Sequence, residues 1–185
     1  LSKNKKKENF FQSKKYLKII NIGRFTDQKD QITILKAIKI LIKKINCRLI
    51  IVGRGEEKKS LKNYINENNL KQNVKIIAYL ENPYNLLRQS DLFVLSSKYE
   101  GLPNVLLEAI ALNRFVISTN CPTGPSEILL GGRGGLFFKI GDFEDLSKKI
   151  LLYFNNKKKM KSRIKIAKTN LYKFDYKKNL IKYYK

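Results

Sequence analysis

Apolar and polar residues alternate along the chain in blocks that predict strands and helices in turn. Short apolar runs with the length of buried strands occur at residues 16–22, 48–52, 74–78, 91–96, 115–118 and 136–138. Segments with helical spacing lie between them, at residues 32–45, 56–68, 83–89, 103–112, 126–130 and 142–154, the last capped by Asp142. The alternation predicts the α/β class: a single doubly wound, Rossmann-like domain with a mostly parallel six-stranded sheet.

A basic segment flanks this predicted domain, residues 16–156, at each end. Residues 1–15 are rich in lysine and lack apolar periodicity, so we interpret them as a basic linker remnant. Residues 157–185 have helical propensity and a single acid, Asp175, which predicts a basic helical tail. No apolar run approaches the roughly 20 residues of a membrane span, and no signal peptide is visible.

The stretch after the fourth predicted strand carries the strongest chemical signal. A turn at Gly101 leads to Pro103, which we expect at the first helical position, where its missing N–H costs nothing. A helix that begins at the carboxyl end of a parallel strand is where open α/β sheets bind anions.

Two carboxylates bracket this turn. Glu100 precedes the helix, and Glu108 lies four residues after Asn104, so that those two share a helix face. A carboxylate only accepts hydrogen bonds, and sugar hydroxyls donate them. The Glu-x7-Glu spacing therefore favours a sugar nucleotide, although an amphipathic helix with a surface glutamate at each end is an equal alternative at this point.

Cations and glycines follow other predicted strands. Arg24 and Lys29 surround a helix start where cations oppose the helix dipole, which favours an anion between them unless they are simply two more cations of a basic chain. Gly53 and Gly55 form either a close approach to a ligand or neighbouring loop, or a plain tight turn. We interpret Glu127 as a first-turn acid and the glycines at 131–135 as a structural turn, because they lie between helix and strand.

Composition narrows the chemistry further. The 185 residues contain 39 Lys and Arg against 15 Asp and Glu, a formal charge of +24, and no histidine. The chain therefore lacks the commonest general base and metal ligand. Cys47 and Cys121 have no metal-binding spacing, so we expect reduced cytosolic thiols. The basic residues are spread along the chain without a recognition helix, which disfavours nucleic acid as a partner.

Four segments in order carry a family resemblance. They are IGRFTDQKD (22–30), LIIVGRGEE (49–57), YEGLPNVLLEA (99–109) and GPSEILLGGRGGLFFKIGD (124–142). Over residues 19–151 the sequence resembles the carboxyl-terminal, donor-binding domain of glycosyltransferase family 4, the retaining transferases with the GT-B fold.

The resemblance implies a role for each matching residue. Arg24 and Lys29 would contact the donor diphosphate, Glu100 would hold the transferred sugar, and Glu108 would bind the ribose. Backbone N–H groups around Leu102 and Asn104 would cradle the distal phosphate. The implied catalytic residue is Glu100, and the implied donor-binding residues are Gly23, Arg24, Lys29, Gly101, Leu102, Asn104 and Glu108. The implied donor is a UDP- or GDP-sugar, with no metal and no other cofactor.

The resemblance also implies a second, amino-terminal Rossmann domain that these 185 residues do not contain. We therefore expect an excised domain, a truncated gene product or one half of a split enzyme. The expected function is transfer of a hexose or N-acetylhexosamine to a cell-surface polysaccharide or lipid-linked glycan. The alternative is a non-catalytic remnant that only binds nucleotide sugar. We expect a cytoplasmic location, with contact between the basic tail and the anionic inner face of the membrane.

Overall fold

A computed structural model describes residues 9–13, 15–121 and 123–174 of the chain. The strands are β1 (Leu17–Ile22), β2 (Cys47–Gly53), β3 (Val74–Ala78), β4 (Leu92–Leu95), β5 (Phe115–Thr119) and β6 (Leu136–Phe138). The α-helices are α1 (Gln31–Leu41), α2 (Lys58–Glu67), α3 (Tyr84–Gln89), α4 (Asn104–Ala111), α5 (Pro125–Ile128), α6 (Phe143–Asn155) and α7 (Lys157–Asn170).

All strand pairs of the sheet are parallel, in the order β3-β2-β1-β4-β5-β6. The chain winds outward in one direction from β1 to β3, and then returns to the other side of β1 with β4. The predicted α/β, Rossmann-like architecture is confirmed, and the sheet has its topological switch point between β1 and β4.

Helices cover both faces of the sheet and bury two apolar clusters. On one face α1, α2 and α6 pack on side chains such as Ile19 and Ile51. On the other face α3, α4, α5 and α7 pack on Ile20 and Phe93. Neighbouring residues of one strand point to opposite faces, so strands covered on both sides must be continuously apolar, which is the pattern their sequences have.

Two helix starts test the sequence rules directly. Asp142 caps α6 as predicted, and its side chain accepts a hydrogen bond of 2.8 Å from the Asp145 N–H. The prediction that Pro103 is the first helical residue is wrong by one position, because its ψ of 92° is extended and α4 begins at Asn104.

Segments outside the predicted domain, residues 16–156, contribute to the core of the structure. Phe11 is buried against the cluster beneath α3 and α4. Met160 and Ala167 of α7 are buried, one in each cluster. The limits at 16 and 156 stay a prediction, and the part of the predicted tail beyond 174 lies outside the described residues. Among the described helices, none is long and apolar enough to cross a membrane.

Candidate functional site

The switch point brings two loops together at the carboxyl end of the sheet. One follows β1 and spans residues 23–30, and the other follows β4 and spans residues 96–103. The connections that leave β1 and β4 run to opposite faces of the sheet, to α1 and α4, which leaves a crevice for ligands between them. A cleft of about 460 Å³ lies at this point, and its lining includes Gly23, Arg24, Lys29, Glu100, Leu102 and Asn104.

Hydrogen bonds and an ion pair join the two loops. The Lys98 N–H donates to the Gln28 carbonyl at 2.8 Å, and the Gln28 side-chain amide donates to the Tyr99 carbonyl at 2.9 Å. Lys98 Nζ and Asp27 Oδ1 form an exposed ion pair at 2.5 Å. The positions of the two loops are therefore coupled, because movement of either one breaks these bonds.

Glu100 is the best-held charged group of the cleft. Its Oε1 accepts hydrogen bonds from Lys29 Nζ at 2.5 Å and from Ser97 Oγ at 2.6 Å. The side chains of Lys29 and Glu100 are only 16% and 7% exposed. Thr123 Oγ1 donates to the Glu100 carbonyl. Glu100 therefore has a fixed orientation, and within the described residues its second carboxylate oxygen accepts no hydrogen bond.

Small polar residues behind Glu100 support this arrangement. Thr119 Oγ1 donates to the Ser97 carbonyl at 2.6 Å, and Ser96 Oγ donates to the Lys29 carbonyl at 2.7 Å. Ser96, Ser97 and Thr119 are fully buried at the ends of β4 and β5. None of these three residues was predicted as part of the site, although serine and threonine directly after a buried apolar run are a usable signal, since buried hydroxyls need partners.

Arg24 differs from Lys29 because its side chain is exposed and forms no ion pair with a described residue. Its backbone is fixed by Gln31, whose side-chain amide donates to the Arg24 carbonyl at 2.8 Å. The first N–H groups of α4, at Asn104 and Val105, face no side-chain cap. Unpaired helix-start N–H groups beside an exposed guanidinium form a site for an anion.

Glu108 is placed differently from Glu100. It lies one turn further along α4 than Asn104, is partly buried, and is not among the side chains that line the cleft. Burial raises the pKa of its carboxyl group. Six of the eight candidate residues therefore line the cleft. Of the other two, Gly101 forms the turn next to the cleft, and Glu108 lies further along α4.

Two glycines permit close backbone contacts around the cleft. A Cβ added at Gly53 would lie 1.9 Å from the Gly23 carbonyl oxygen, so this glycine serves the approach of a neighbouring loop. A Cβ at Gly124 would lie 1.9 Å from the Gly101 carbonyl oxygen. Gly124 also has a φ of 71°, which side-chain-bearing residues rarely adopt.

The other sequence candidates lie away from the cleft. Glu127 is exposed in the first turn of α5. The glycines at 131–135 form turns between α5 and β6, and Arg163 donates to the Gly132 and Gly135 carbonyls at 2.8 Å each. Both cysteines are buried and unpaired. Burial raises the pKa of Cys47 to about 12 and also raises that of Cys121, so neither thiol is ionised at neutral pH.

Comparison with protein families gives one match over most of the chain. The model described as glycosyl transferases group 1 matches residues 2–170. An uncharacterised glycosyltransferase of Methanocaldococcus jannaschii is 49% identical over 111 residues, which are 60% of this chain and 27% of the relative. The N-acetylgalactosamine-N,N'-diacetylbacillosaminyl-diphospho-undecaprenol 4-alpha-N-acetylgalactosaminyltransferase of Campylobacter jejuni is 28% identical over 157 residues, covering 85% of this chain and 42% of the relative.

Solved structures of low sequence identity share the fold. TarM of Staphylococcus aureus, solved with UDP among its ligands, superposes with a TM-score of 0.83 at 23% identity, covering 91% of this chain and 34% of TarM. The catalytic domain of cholesterol-α-glucosyltransferase from Helicobacter pylori gives a TM-score of 0.73 at 22% identity, covering 85% of this chain and 99% of that domain. The chain spans less than half of the length of the curated relatives named above.

Proposed function

The chain belongs to the family of group 1 glycosyl transferases, and from that premise we propose that it is the donor-binding domain of a retaining, family 4 glycosyltransferase. The observation that carries this proposal is the largely buried Lys29–Glu100 pair at the switch point of the sheet, beside the uncapped start of α4. The carboxylate would accept hydrogen bonds from sugar hydroxyls, and the helix start beside it would bind phosphates.

A UDP- or GDP-sugar fits the cleft in one direction. The diphosphate would lie between Arg24 and the first N–H groups of α4, and the transferred sugar would face Glu100. The base would occupy the apolar end of the cleft, where Ile22, Val52 and Leu80 contribute to the lining. Glu108 would reach the ribose from the next turn of α4, where a ligand hydroxyl supplies a partner for its partly buried carboxylate.

The same geometry suggests how the domain would assist transfer. Cleavage of the bond between sugar and diphosphate develops positive charge on the sugar and negative charge on the leaving group. Glu100 would stabilise the first of these charges. Arg24, the start of α4 and Lys29 would stabilise the second, so that protein cations take the place of a metal ion.

A second domain would complete the active site. Large exposed apolar side chains follow several strands at the carboxyl edge of the sheet: Tyr79, Tyr99, Leu102 and Ile140 lie on loops, and Tyr84 lies at the start of α3. Exposed apolar side chains along this edge, two of which (Tyr79 and Leu102) line the cleft, favour a protein partner. We propose an amino-terminal Rossmann domain, in the same chain or as a split partner, that presents a polysaccharide or lipid-linked acceptor. Transfer of a hexose or N-acetylhexosamine is the proposed reaction.

Ligand binding without metal is the first test of this proposal. We expect the 185-residue chain to bind UDP or GDP, or the corresponding sugar nucleotides, equally well with and without EDTA, because Arg24 and α4 neutralise the phosphates. Titration calorimetry measures both series. Strict dependence on Mg²⁺, or no binding of either series at millimolar concentration, contradicts the proposal. A domain that binds but shows no transfer when supplied with its partner domain is the non-catalytic alternative.

We propose separately that the protein lies in the cytoplasm and that its basic helix α7 contacts the membrane. The segment Lys157–Asn170 contains no acid, and Lys158, Lys161 and Lys165 are exposed. We expect replacement of these three lysines by glutamate to weaken binding to anionic vesicles in a co-sedimentation assay by roughly a hundredfold or more, since each basic residue near such a surface contributes about 1 kcal/mol. UDP binding is the control and should not change. Equal vesicle binding by both proteins contradicts membrane contact through α7.

A further inference from the structure

A second cavity, shallow and wide open to solvent, lies at the opposite end of the sheet from the donor cleft, where residues 131–135 lead into β6. Its volume is about 380 Å³, within the range of ligand pockets of roughly 300–1,000 Å³. The strands are parallel, and this loop enters β6 at the amino ends of the strands, whereas the cleft lies at their carboxyl ends. The cavity is therefore separate from the proposed donor site.

Three cations from three different elements line this cavity. Arg133 comes from the glycine loop, Lys149 from α6 and Arg163 from α7. Asp145 Oδ1 lies 3.7 Å from Lys149 Nζ, and no acid occurs anywhere in α7. Three positive and one negative side chain leave two positive charges around one cavity. Like charges that converge without matching acids repel each other, and a bound anion removes that repulsion.

Arg163 is the cation that the fold holds in place. Its Nη1 donates to the Gly132 and Gly135 carbonyls at 2.8 Å each, which fixes the plane of the guanidinium at the cavity wall. Its other side-chain N–H groups donate to no group of the described residues. A guanidinium whose plane is already fixed loses little freedom when it binds a phosphate with its remaining donors.

Arg133 and Lys149 have weaker structural roles. Arg133 is exposed and donates one long bond, 3.4 Å, to the Leu130 carbonyl. Lys149 has an acid partner four residues before it on the same helix, a kind of pair worth about 0.3–0.5 kcal/mol. Neither cation is needed to close the loop, yet both face the cavity beside Arg163.

We propose that this cavity is a second anion site, which binds the phosphate group of a phosphate monoester. At neutral pH a phosphate monoester carries about 1.5 to 2 negative charges, which matches the two positive charges left around the cavity. Arg163 would grip the phosphate oxygens with its free N–H groups, and Arg133 and Lys149 would act as point charges at the rim. The phosphate can belong to a dissolved compound or to a lipid headgroup.

Nuclear magnetic resonance of the 185-residue chain tests the site at residue resolution. We titrate inorganic phosphate at constant ionic strength and follow the backbone amides of residues 131–136. A saturable shift is expected, weakened about three- to tenfold in Lys149→Ala and in Arg133→Ala, because each removes one charge from the site. Lys148→Ala is the matched control, since Lys148 is an exposed neighbour on α6 that does not line the cavity.

Vesicles distinguish the two sources of the phosphate. Binding to phosphatidylcholine vesicles that contain phosphatidate, weakened by Lys149→Ala but not by Lys148→Ala, assigns the site to a lipid headgroup. Response to inorganic phosphate alone assigns it to a soluble monoester. The proposal is overturned if residues 131–136 show no saturable shift, or if all three variants respond alike. Amides of the α4 start report the donor cleft separately, so failure here leaves the proposed function untouched.

Discussion

Replacing Gly124 by alanine is expected to lower the free energy of unfolding by about 2–6 kcal/mol and to abolish measurable UDP binding. The added Cβ would lie 1.9 Å from the Gly101 carbonyl oxygen and 2.8 Å from Pro103 Cδ. Gly124 also has φ 71° and ψ −77°, a conformation that costs a side-chain-bearing residue about 1–3 kcal/mol. Overpacking adds about 1–3 kcal/mol, and relief of the clash must displace the turn that leads into α4.

Gly141→Ala is the matched control for this prediction. Gly141 has nearly the same φ, 72°, but a Cβ there would meet no atom within 4 Å. Urea unfolding of both variants separates the cost of a side chain at positive φ, which applies to both, from the clash with the Gly101 turn, which only Gly124→Ala has. Titration calorimetry then measures the affinity of both variants for UDP. If the two variants lose equal stability and both still bind UDP, Gly124 does not hold the cleft.

The sequence predicted the fold well because burial leaves a simple signature. Strands covered on both faces must be apolar throughout, so all six were recognisable within two residues at each end. Helix ends were harder. The apolar spacing continues to Ile45, but α1 ends at Leu41 because the chain must turn there to enter β2. The spacing of apolar residues indicates which face of a helix is buried. It does not indicate where the helix ends and the connection to the next strand begins.

The site was predictable only in part, for a different reason. The switch point depends on strand order, which no single stretch of sequence encodes, so the neighbourhood of Lys29 and Glu100 could be expected only from the family resemblance. The direct contact between the Lys29 ammonium and the Glu100 carboxylate could not be expected from the sequence. The resemblance implies that Lys29 contacts the donor diphosphate, and this contact stays a prediction. In the structure the Lys29 ammonium contacts the Glu100 carboxylate, 71 residues away in sequence. Ser97 donates to that carboxylate, and Thr119 donates to the Ser97 carbonyl, a contact that depends on the pairing of β4 with β5.

The Lys29–Glu100 ion pair allows a specific prediction for removal of the Glu100 charge. Glu100→Gln is expected to weaken a sugar nucleotide by about ten- to a hundredfold, because a hydrogen bond to a charged acceptor is worth about 1.5–3 kcal/mol. Binding of the free nucleoside diphosphate should be unchanged or slightly tighter. The substitution removes a negative charge beside the phosphates and releases Lys29 to interact with them. Calorimetry with UDP and UDP-sugar, or the GDP pair, compares the two ligands directly.

Two other glutamates provide the comparison that this result needs. Glu108→Gln should weaken both ligands to a similar degree, because the ribose is common to both. Glu127→Gln, an exposed carboxylate outside the cleft, should change neither. In an assembled enzyme with both domains, Glu100→Gln should reduce the rate of transfer more than donor binding, since its charge counts most in the transition state.

The buried position of Glu100 requires one further measurement. Its replacement leaves the ammonium of Lys29 largely buried without a carboxylate partner, which by itself lowers the free energy of unfolding. Urea unfolding of Glu100→Gln and of the double variant Glu100→Gln/Lys29→Gln determines that cost. If Glu100 contacts the sugar, the double variant recovers stability but still binds a sugar nucleotide no better than the free diphosphate. If it recovers the preference for the sugar conjugate, Glu100 serves only to hold Lys29, and the assigned role is wrong.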